Sequence, residues 1–256
     1  MNDPYLYPNS EVLMNLANIH DVQGLKDMEA DYTLYRLSEL VTNNDWERFD
    51  FKALCEMHHH IFQDVYEWAG KPRIINIEKQ EVVLGELSIE YSDCFDIERD
   101  AKEILGEMNR FNWKKASNET VIEKFSSFMA SLWKVHLFRE GNTRTVVTFC
   151  CMFIEAQGIY IDSDLFKDNA SYMRDALVAA NAMFHDLGDL RKPEYLYRIV
   201  QDALERGHEM KVQVETQIRK ADFPVTDENI RRIVFWNRKE KREHTDNEIR
   251  AYLSDF

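Results

Sequence analysis

The chain has 256 residues, of which 45% are hydrophobic and 12% aromatic, enough apolar material for a sizeable core in one or two domains. Lys and Arg total 32 against 46 Asp and Glu, and the resulting formal net charge of -14 repels nucleic acid and anionic membranes, so neither is expected as a partner. No run approaches the roughly 18 apolar residues of a membrane-spanning helix, and the polar first ten residues do not form a signal peptide.

Hydrophobic periodicity predicts helices from the beginning of the chain. A short helix is expected at residues 11–19 and a longer amphipathic one at 25–40. Asp50 is a suitable N-cap for a third helix at 51–68, which Gly70 and Pro72 would end. Three consecutive histidines, 58–60, point in three directions on this helix, so they predict one packed imidazole and two exposed ones rather than a metal site.

The pattern changes between residues 73 and 84. Apolar residues at 74, 75 and 77 and again at 82–84 flank the polar run 78–81, which predicts a small β-hairpin. An isolated two-stranded hairpin is marginal in water. It is therefore expected to lean on the helical body, and its edge could pair with an extended peptide.

The rest of the chain is predicted to be helical. Ser117 or Asn118 would cap the helix that leads into a polar loop at 136–145. Gly207 would end a helix over 193–205 that begins with Pro193. The other expected helices lie at 91–111, 146–157, 170–184, 226–242 and, after a capping box at Thr245 and Glu248, near the end of the chain.

The polar loop contains side chains suited to phosphate chemistry. Gly141 allows backbone amides to approach a ligand, and the following helix begins there with unpaired N–H groups, which makes an anion site. Arg144 could grip a phosphate with its planar fork, and Glu140 is an oxygen ligand that Mg²⁺ accepts when phosphates complete its shell. His136 could take a proton from an attacking hydroxyl. The loop therefore predicts phosphoryl or nucleotidyl transfer from a nucleotide.

The same loop resembles the signature of the Fic/Doc family, H-x-F-x-[DE]-G-N-G-R-x-x-R. Residues 61–73, continuing into Asn76 and Ile77, resemble the segment that enters the family's target-binding flap, and the likeness covers about residues 25–205. The matching signature positions are His136, Phe138, Glu140, Gly141, Asn142 and Arg144.

The resemblance implies an all-α, Fic-like helical bundle with a small β-hairpin flap near the active-site loop. It also implies transfer of AMP from ATP, with Mg²⁺ as cofactor, to a Ser, Thr or Tyr hydroxyl of a target protein. The chain itself is a further expected target of this transfer. His136 would be the general base, Glu140 the metal ligand and Phe138 the residue that anchors the loop in the core. The nucleotide and its phosphates would be bound by Gly141, Asn142, Thr143, Arg144 and Tyr172, and the target by the flap residues Asn76, Ile77, Glu78 and Lys79.

Several alternatives remain open at this level. Tyr172 fits the family's adenine pocket but equally an ordinary core. Thr143 stands where the family has Gly, or Lys in the Doc branch that transfers phosphate, so phosphate or another nucleotide is the rival cargo. Val147 replaces the last Arg of the signature. A Fic-fold adaptor without activity, binding peptides at the flap, is the rival outside enzymes.

Regulation and organisation follow from the same resemblance. In many members an inhibitory Glu from a motif [ST]-x-x-x-E-[GN] pairs with that last Arg, and no Ser or Thr of this chain has Glu four residues later. We therefore expect no such lock within the chain, although a separate inhibitor protein could supply one. The expected organisation is an N-terminal segment at 1–24, a catalytic domain at 25–206 and a helical extension at 207–256. A cytoplasmic location is expected, with secretion as an effector and homo-oligomerisation left open.

Overall fold

The computed structural model describes residues 3–42 and 46–255, and within these ranges the chain is almost entirely helical. Single turns of 3-10 helix occur at Val82–Leu84 and Trp113–Lys115, and the one β ladder in the described part is the pair β1 (Met183–Phe184) and β2 (Gly188–Asp189). The helices are α1 (Val22–Thr42), α2 (Phe51–Phe62), α3 (Ile97–Arg110), α4 (Asn118–Val135), α5 (Asn142–Ala156), α6 (Ser163–Asp168), α7 (Ala170–Ala180), α8 (Glu194–Lys220), α9 (Asp227–Glu240) and α10 (Asp246–Ser254).

The core is built around α4 and α5, whose apolar residues recur at helical spacing. Phe125 on α4 and Phe153 on α5 are fully buried, and the Trp113 ring packs edge-on against both at 6.3 and 5.7 Å. Burial of each such ring stabilises the fold by about 1.5–3 kcal/mol. α2 packs against α5, and α3, α7 and α8 pack against α4, so the loop joining α4 to α5 lies at the end of a rigid helix pair.

The expected helix at 11–19 is wrong. Leu6 and Leu13 instead form an antiparallel bridge, and the Asn15 side chain bonds the carbonyl oxygens of Leu13 and Ile19 and the N–H of Ile19. Asn side chains that bond nearby backbone groups in this way compete with helix formation. The segment consequently folds as a loop, and Tyr5 beside it packs edge-on against Trp68.

Helix α2 begins at the predicted cap but ends earlier than predicted. The Asp50 side chain accepts a hydrogen bond from the Ala53 N–H at 2.8 Å, as expected. The helix then stops at Phe62, and turns follow through to Gly70, which has a φ of +80°. The left-handed backbone at Gly70 redirects its N–H toward the side chain of His58, at 2.8 Å from Nδ1.

The hairpin expected at 73–84 is displaced. Its predicted second strand is the 3-10 turn Val82–Leu84, and a single antiparallel bridge joins Glu81 to Leu87 around that turn. The Lys79 N–H donates to the Ser88 hydroxyl at 3.0 Å instead of to a facing strand. We call residues 76–88 the flap. It is a short loop on a bridge rather than a regular two-stranded ladder.

The later helices also differ from the prediction at their ends. α3 begins at Ile97 rather than 91, and α7 ends at Ala180, where the Asn181 amide donates to the carbonyl oxygens of Ala130 and Leu177. The segment that follows forms the β1–β2 hairpin, where the sequence predicted a helix end and a turn.

Helix α8 passes through Gly207, where the sequence predicted its end. A Cβ at Gly207 would lie 2.2 Å from the carbonyl oxygen of Tyr160. The glycine is therefore needed because α8 approaches another segment closely, and the helix runs on to Lys220.

Beyond Gly207, α8 joins α9 and α10 in a second apolar cluster. The predicted caps are present here, with Thr226 on α9 and a complete capping box between Thr245 and Glu248 on α10. No helix of the described residues is both long and apolar enough to cross a bilayer. The buried residues of the second cluster are Tyr160, Val214, Ile218, Ala221, Ile230, Ile233, Val234, Ile249 and Leu253.

Candidate active site

The loop between α4 and α5 is braced from within by Asn142. Its Oδ1 accepts from the Phe138 N–H at 2.9 Å, and its Nδ2 donates to the Phe138 carbonyl oxygen at 2.7 Å. Asn142 is 2% exposed, so these bonds lie in a low-dielectric interior where they are strong. Asn142 thus holds the loop in shape, and its amide is engaged with Phe138 rather than pointing outward.

Phe138 anchors the loop in the core, as the sequence suggested, and it does so against a histidine. The ring is fully buried and stacks on the His58 imidazole with centroids 3.7 Å apart. Because His58 Nδ1 accepts from the Gly70 N–H, its Nε2 carries the proton and donates to the Glu140 carbonyl oxygen at 3.0 Å. Burial lowers the pKa of His58 to about 3, so the imidazole is neutral.

One of the three consecutive histidines packs inside, as expected, but only one of the other two is exposed. His58 is buried, His59 is exposed, and His60 is half-buried with its Nε2 3.2 Å from the Arg36 carbonyl oxygen. The role of His58 as a tie between α2, the Gly70 turn and the loop was missed. Its position before the flap segment gave no local sign of a contact 82 residues further along the chain.

Gly141 is required by a close approach. Its φ is +80°, and a Cβ there would lie 2.2 Å from the Phe62 ring. Gly141 is the N-cap of α5, and its carbonyl oxygen accepts from the Thr145 N–H at 3.1 Å and the Thr145 hydroxyl at 3.0 Å. The N–H groups that follow it belong to the first turn of the helix, which leaves them available to an anion.

Glu140 faces the flap. Its Oε2 lies 2.9 Å from the Lys79 Nζ, and its Oε1 accepts from the Gly141 N–H at 3.0 Å. Burial alone would raise the pKa of Glu140, but the Lys79 ammonium and the Gly141 N–H hold it down at about 2. The group is therefore a carboxylate at neutral pH.

A divalent cation fits Glu140 only in combination with a nucleotide. The described residues contain no cluster of three His, Cys, Asp or Glu side chains that could hold a metal by themselves. Mg²⁺ is commonly bound by one or two carboxylates together with substrate phosphates and water. The single carboxylate of Glu140, next to the N-terminus of α5, agrees with that pattern. The cation would have to displace the Lys79 ammonium from Glu140 Oε2.

His136 has an unusual environment for a histidine. The residue is 3% exposed, and neither ring nitrogen has a hydrogen-bond partner among the described residues. Tyr91 covers the imidazole at a centroid distance of 4.1 Å, and Trp133 meets it edge-on at 5.5 Å. The backbone is left-handed, with a φ of +51°, and caps the end of α4.

Burial, and next the nearby charge of Lys79, lower the pKa of His136 well below its ordinary value. A neutral imidazole is able to accept a proton. Leaving its polar atoms buried and unpaired costs free energy, on the order of 1–3 kcal/mol per group. A hydroxyl reaches these nitrogens only when the covering residues move, so access to His136 depends on the flap side of the site.

Arg144, predicted to grip a phosphate, is held by α1. Its guanidinium pairs with Glu29, donates to the Thr33 hydroxyl at 2.9 Å and lies over the Phe62 ring at 4.9 Å. The Tyr66 hydroxyl donates to the same Glu29 carboxylate at 2.5 Å. A carboxylate of this chain therefore pairs with Arg144, an arginine of the signature. Glu29 is not part of an [ST]-x-x-x-E-[GN] motif, because the residue four places before it is Leu25.

Thr143, the first departure from the signature, bonds to the core. Its hydroxyl oxygen accepts from the Trp133 Nε1–H at 2.9 Å, which ties the first turn of α5 to the last turn of α4. The hydroxyl proton remains available for donation because the oxygen is the acceptor in that bond.

An unforeseen residue, Arg73, fixes the base of the flap. It is 2% exposed, and its guanidinium donates to the His136 carbonyl oxygen at 2.8 Å, to that of Ile75 at 2.6 Å, and to that of Ser92. Asn76 completes this base, since its Nδ2 donates to Asp93 at 2.8 Å. No local pattern in the sequence indicated this role, because the acceptors are backbone carbonyl oxygens.

Among the flap residues singled out from the sequence, Lys79 contacts the loop through Glu140. Ile77 is half-buried and Glu78 is exposed. Glu81, which the sequence did not single out, has a fully buried side chain and pairs with Arg174 of α7 at 2.5 and 2.9 Å. Lys79 and Glu81 thus fasten the flap to two different parts of the body.

Tyr172 lines a pocket of about 730 Å³ between α7, the Val82–Leu84 turn and the β1–β2 hairpin. It is 42% exposed, and its hydroxyl donates to the Tyr195 carbonyl oxygen at 3.2 Å, so it is not an ordinary core tyrosine. Leu84 and Phe184 contribute apolar walls to the pocket.

Comparison with known proteins places this loop in a family. The model of the Fic/DOC family matches residues 48–154, which include α2, the flap and the whole α4–loop–α5 unit. A "Probable protein adenylyltransferase y4lH" of Sinorhizobium fredii is 35% identical over 164 residues, spanning 63% of this chain and 80% of that protein.

The chain belongs to the Fic/DOC family. The "Protein adenylyltransferase VbhT" of Bartonella schoenbuchensis is 30% identical over 164 residues, covering 64% of this chain and only 33% of that longer protein. A crystal structure of BepC from Bartonella tribocorum, titled as having bound AMPPNP, has the same fold with a TM-score of 0.64. It covers 78% of this chain and 95% of the BepC chain at 19% identity. The expected Fic-like, all-α architecture is therefore confirmed.

Proposed function

We propose that this Fic/DOC chain transfers AMP from MgATP to a hydroxyl group of a protein. The observation that carries the proposal is the neutral, unpaired imidazole of His136, which lies in one loop with the Glu140 carboxylate and the N-terminus of α5. The names of its relatives agree, since two of them are called protein adenylyltransferases.

The reaction divides among these groups as follows. The target hydroxyl attacks the α-phosphorus of ATP, its proton passes to a ring nitrogen of His136, and pyrophosphate leaves with the electrons of the broken P–O bond. The first-turn N–H groups of α5 and the Thr143 hydroxyl donate to phosphate oxygens. Arg144 would contribute once it exchanges Glu29 for a phosphate. Mg²⁺ on Glu140 would neutralise part of the phosphate charge.

The pocket containing Tyr172 is the proposed site of the adenosine. Its volume falls within the range of about 300–1,000 Å³ typical of small-molecule sites. α7 carries both Tyr172 and Arg174, and Arg174 adds to the positive charge that faces His136. The flap forms one wall of this pocket and also fastens onto Glu140, so it touches the nucleoside and the metal ligand together.

The target is proposed to bind along the flap. Residues 76–80 do not pair with a facing strand, and apart from the Lys79 N–H, which donates to Ser88, their backbone groups are offered to an extended segment. Binding there would displace Lys79 and Tyr91 and open His136 to the acceptor hydroxyl.

Labelled ATP gives a direct test. The purified chain is incubated with Mg²⁺ and a bacterial lysate, in parallel with ATP labelled at the α- or the γ-phosphate. We expect the α-label to enter protein, including the chain itself, and the γ-label to stay out. His136→Ala should abolish labelling, while His59→Ala, which changes an exposed imidazole on α2, should preserve it.

The other outcomes identify the rivals. Incorporation of the γ-label would show phosphate transfer, the activity that Thr143 leaves open as an alternative to AMP transfer. Failure of either label to enter protein, combined with a target that the wild type and His136→Ala capture equally at the flap, would favour an inactive adaptor.

A further inference from the structure

A second cavity lies along α5. It has a volume of about 440 Å³ and is bounded by α1, α5, α6 and α9. Along α5 it extends from Thr143 to Ala156, a helical span of about 20 Å at 1.5 Å per residue. His136 and Tyr172 do not line it, but Thr143 and Arg144 of the proposed phosphate site lie at one end. The cavity, which we call the α5 cavity, therefore adjoins the phosphate site and extends away from it along α5.

The middle of the α5 cavity is apolar. Leu37 of α1, Val147 and Met152 of α5, and Val234 and Phe235 of α9 contribute to its walls. Its volume suits a small molecule, and a channel lined by such side chains offers water few hydrogen-bond partners. A flexible hydrocarbon chain matches both its length and its lining.

The charged side chains of the cavity are mostly basic, although the protein as a whole carries a formal charge of -14. Four cations and two anions line it. Arg238 is neutralised by Glu155 through two bonds of 3.0 and 2.6 Å. Arg144 is neutralised by Glu29. The charged residues that line the cavity are Arg144, Lys167, Arg231, Arg238, Glu155 and Asp164.

The two remaining cations are weakly paired or unpaired. Lys167 lies 4.0 Å from Asp164, and Arg231 forms no ion pair with any residue in the described ranges. Arg231 and Tyr160 both line the cavity, and the charge of Arg231 lowers the pKa of the Tyr160 hydroxyl against the larger effect of burial. Tyr160 and Ser163, both of the cavity lining, follow the end of α5 and place hydroxyl donors at this end.

We propose that the α5 cavity binds a single-chain amphiphile with an anionic head group, such as a long-chain fatty acid. The hydrocarbon chain lies along α5 between α1 and α9, and the head group lies at the Arg231 end. The apolar middle determines affinity through chain length, and the basic end selects an anion over a neutral head. This inference does not rest on nucleotide transfer.

Displacement of a fluorescent fatty acid, cis-parinarate, from the delipidated full chain measures such binding. We expect palmitate to displace the probe, and dodecanoate to require at least tenfold higher concentrations, because each buried methylene is worth about fourfold in affinity. The neutral alcohol hexadecanol should also be at least tenfold weaker than palmitate. If a lysophosphatidic acid displaces the probe better than palmitate does, the natural head group is a phosphate.

Two variants test whether the ligand binds in the α5 cavity. Val147→Phe fills the middle of the channel and Arg231→Gln removes the free charge, and each should weaken palmitate at least tenfold. Lys239→Gln is the matched control, because Lys239 is exposed on the same helix as Arg231 and does not line the cavity. Helical circular dichroism of each variant checks its folding, and Arg231→Gln decides the matter if Val147→Phe is misfolded.

The proposal is overturned if the wild type does not bind parinarate or if hexadecanol competes as well as palmitate. Equal binding by wild type and Arg231→Gln would also overturn it.

Discussion

The His58 imidazole joins three segments that are distant in sequence. It accepts a hydrogen bond from the Gly70 N–H, donates one to the Glu140 carbonyl oxygen and stacks on Phe138. The bond from the Gly70 N–H needs an unprotonated Nδ1, and burial lowers the pKa of the ring to about 3. Protonation of His58 is therefore expected to oppose folding.

This linkage predicts a pH-dependent stability. In the unfolded chain His58 titrates near its ordinary value of 6.5, whereas in the folded chain it titrates near 3. Between these values the unfolded state binds more protons, so stability falls as pH falls, by about 1.4 kcal/mol per pH unit for this group. Urea unfolding at pH 7, 6 and 5 measures the slope.

His58→Gln should be less stable than the wild type at pH 7 and should show a shallower decline toward pH 5. His59→Gln, an exposed position on the same helix, is the matched control. A decline that is as steep in His58→Gln as in the wild type would contradict the assignment to His58.

The ion pair between Lys79 and Glu140 predicts the metal dependence of the proposed reaction. A cation that binds Glu140 must displace the ammonium, which lies 2.9 Å from Oε2. Lys79→Met should therefore lower the Mg²⁺ concentration needed for half-maximal transfer by about two- to fivefold, since partly exposed pairs are worth up to ~1 kcal/mol. Initial rates across a Mg²⁺ series give the value.

Lys71→Met serves as the control, because Lys71 is exposed just before the flap. An unchanged or increased Mg²⁺ requirement in Lys79→Met would show that the two ligands of Glu140 do not compete.

At this scale the sequence predicted chemical types but not partners. His136, Glu140 and Gly141 were recognisable because their chemistry and spacing lie within one loop. The pairing of Arg144 with Glu29 joins residues 115 positions apart, and nothing local to either residue indicates it. Arg73 was overlooked for the same reason, since its three acceptors are carbonyl oxygens that any residue could supply.

Among the elements, the turn from the loop into α5 is tightly constrained. Gly141 and Gly158 both have a positive φ, +80° and +84°, at the two ends of this helix. A Cβ at Gly141 would collide with the Phe62 ring at 2.2 Å, whereas a Cβ at Gly158 would meet nothing within 4 Å.

The pair of glycines supports a controlled prediction. Gly158→Ala should cost only the left-handed backbone penalty, about 1–2 kcal/mol. Gly141→Ala should cost that amount plus about 1–3 kcal/mol for overpacking against Phe62, and it should abolish transfer by displacing the loop. Urea unfolding and the labelling reaction provide both measurements. Equal destabilisation by the two substitutions would mean that the Phe62 ring moves away from residue 141 without lowering the free energy of unfolding.

Whole elements were predictable where period and caps agreed. α4 and α5 combine helical apolar spacing with clear ends, and Asp50, Ser117, Thr226 and Thr245 all act as N-caps. The errors at residues 11–19 and in the flap arose where polar side chains satisfy backbone groups locally. The β1–β2 hairpin was missed because two residues per strand leave no readable alternation.

Across the whole molecule, α8 belongs to both apolar clusters. Leu196, Val200 and Ala203 lie in the main core, while Val214 and Ile218 lie in the second apolar cluster, called the C-terminal cluster below. The boundary expected at 206/207 therefore falls within a continuous helix. The two apolar clusters are nevertheless distinct.

Deletion of residues 222–256 tests how far the clusters depend on each other. It removes α9 and α10, uncovers Val214 and Ile218, and leaves Glu155 without Arg238. Each buried side chain contributes about 1.5–3 kcal/mol, so a loss of at least ~3 kcal/mol in the free energy of unfolding is expected. Urea unfolding measures this loss.

Deletion of residues 246–256 alone, which removes only Ile249 and Leu253 from the C-terminal cluster, should cost less. Equal urea midpoints for the full chain and the longer deletion would show that the C-terminal helices are a separate unit.

The bond between Arg144 and Glu29 makes the first helix an internal reporter of the phosphate site. A phosphate that recruits the guanidinium leaves the carboxylate with the Tyr66 hydroxyl as its remaining side-chain donor. Because linked equilibria are reciprocal, any change that strengthens the pairing of Arg144 with Glu29 must weaken nucleotide binding by the same factor. Amide hydrogen exchange around residue 29 should then accelerate when ATP binds. Occupancy of the nucleotide site would then be measurable from amide exchange in α1, a helix that begins more than a hundred residues before the loop.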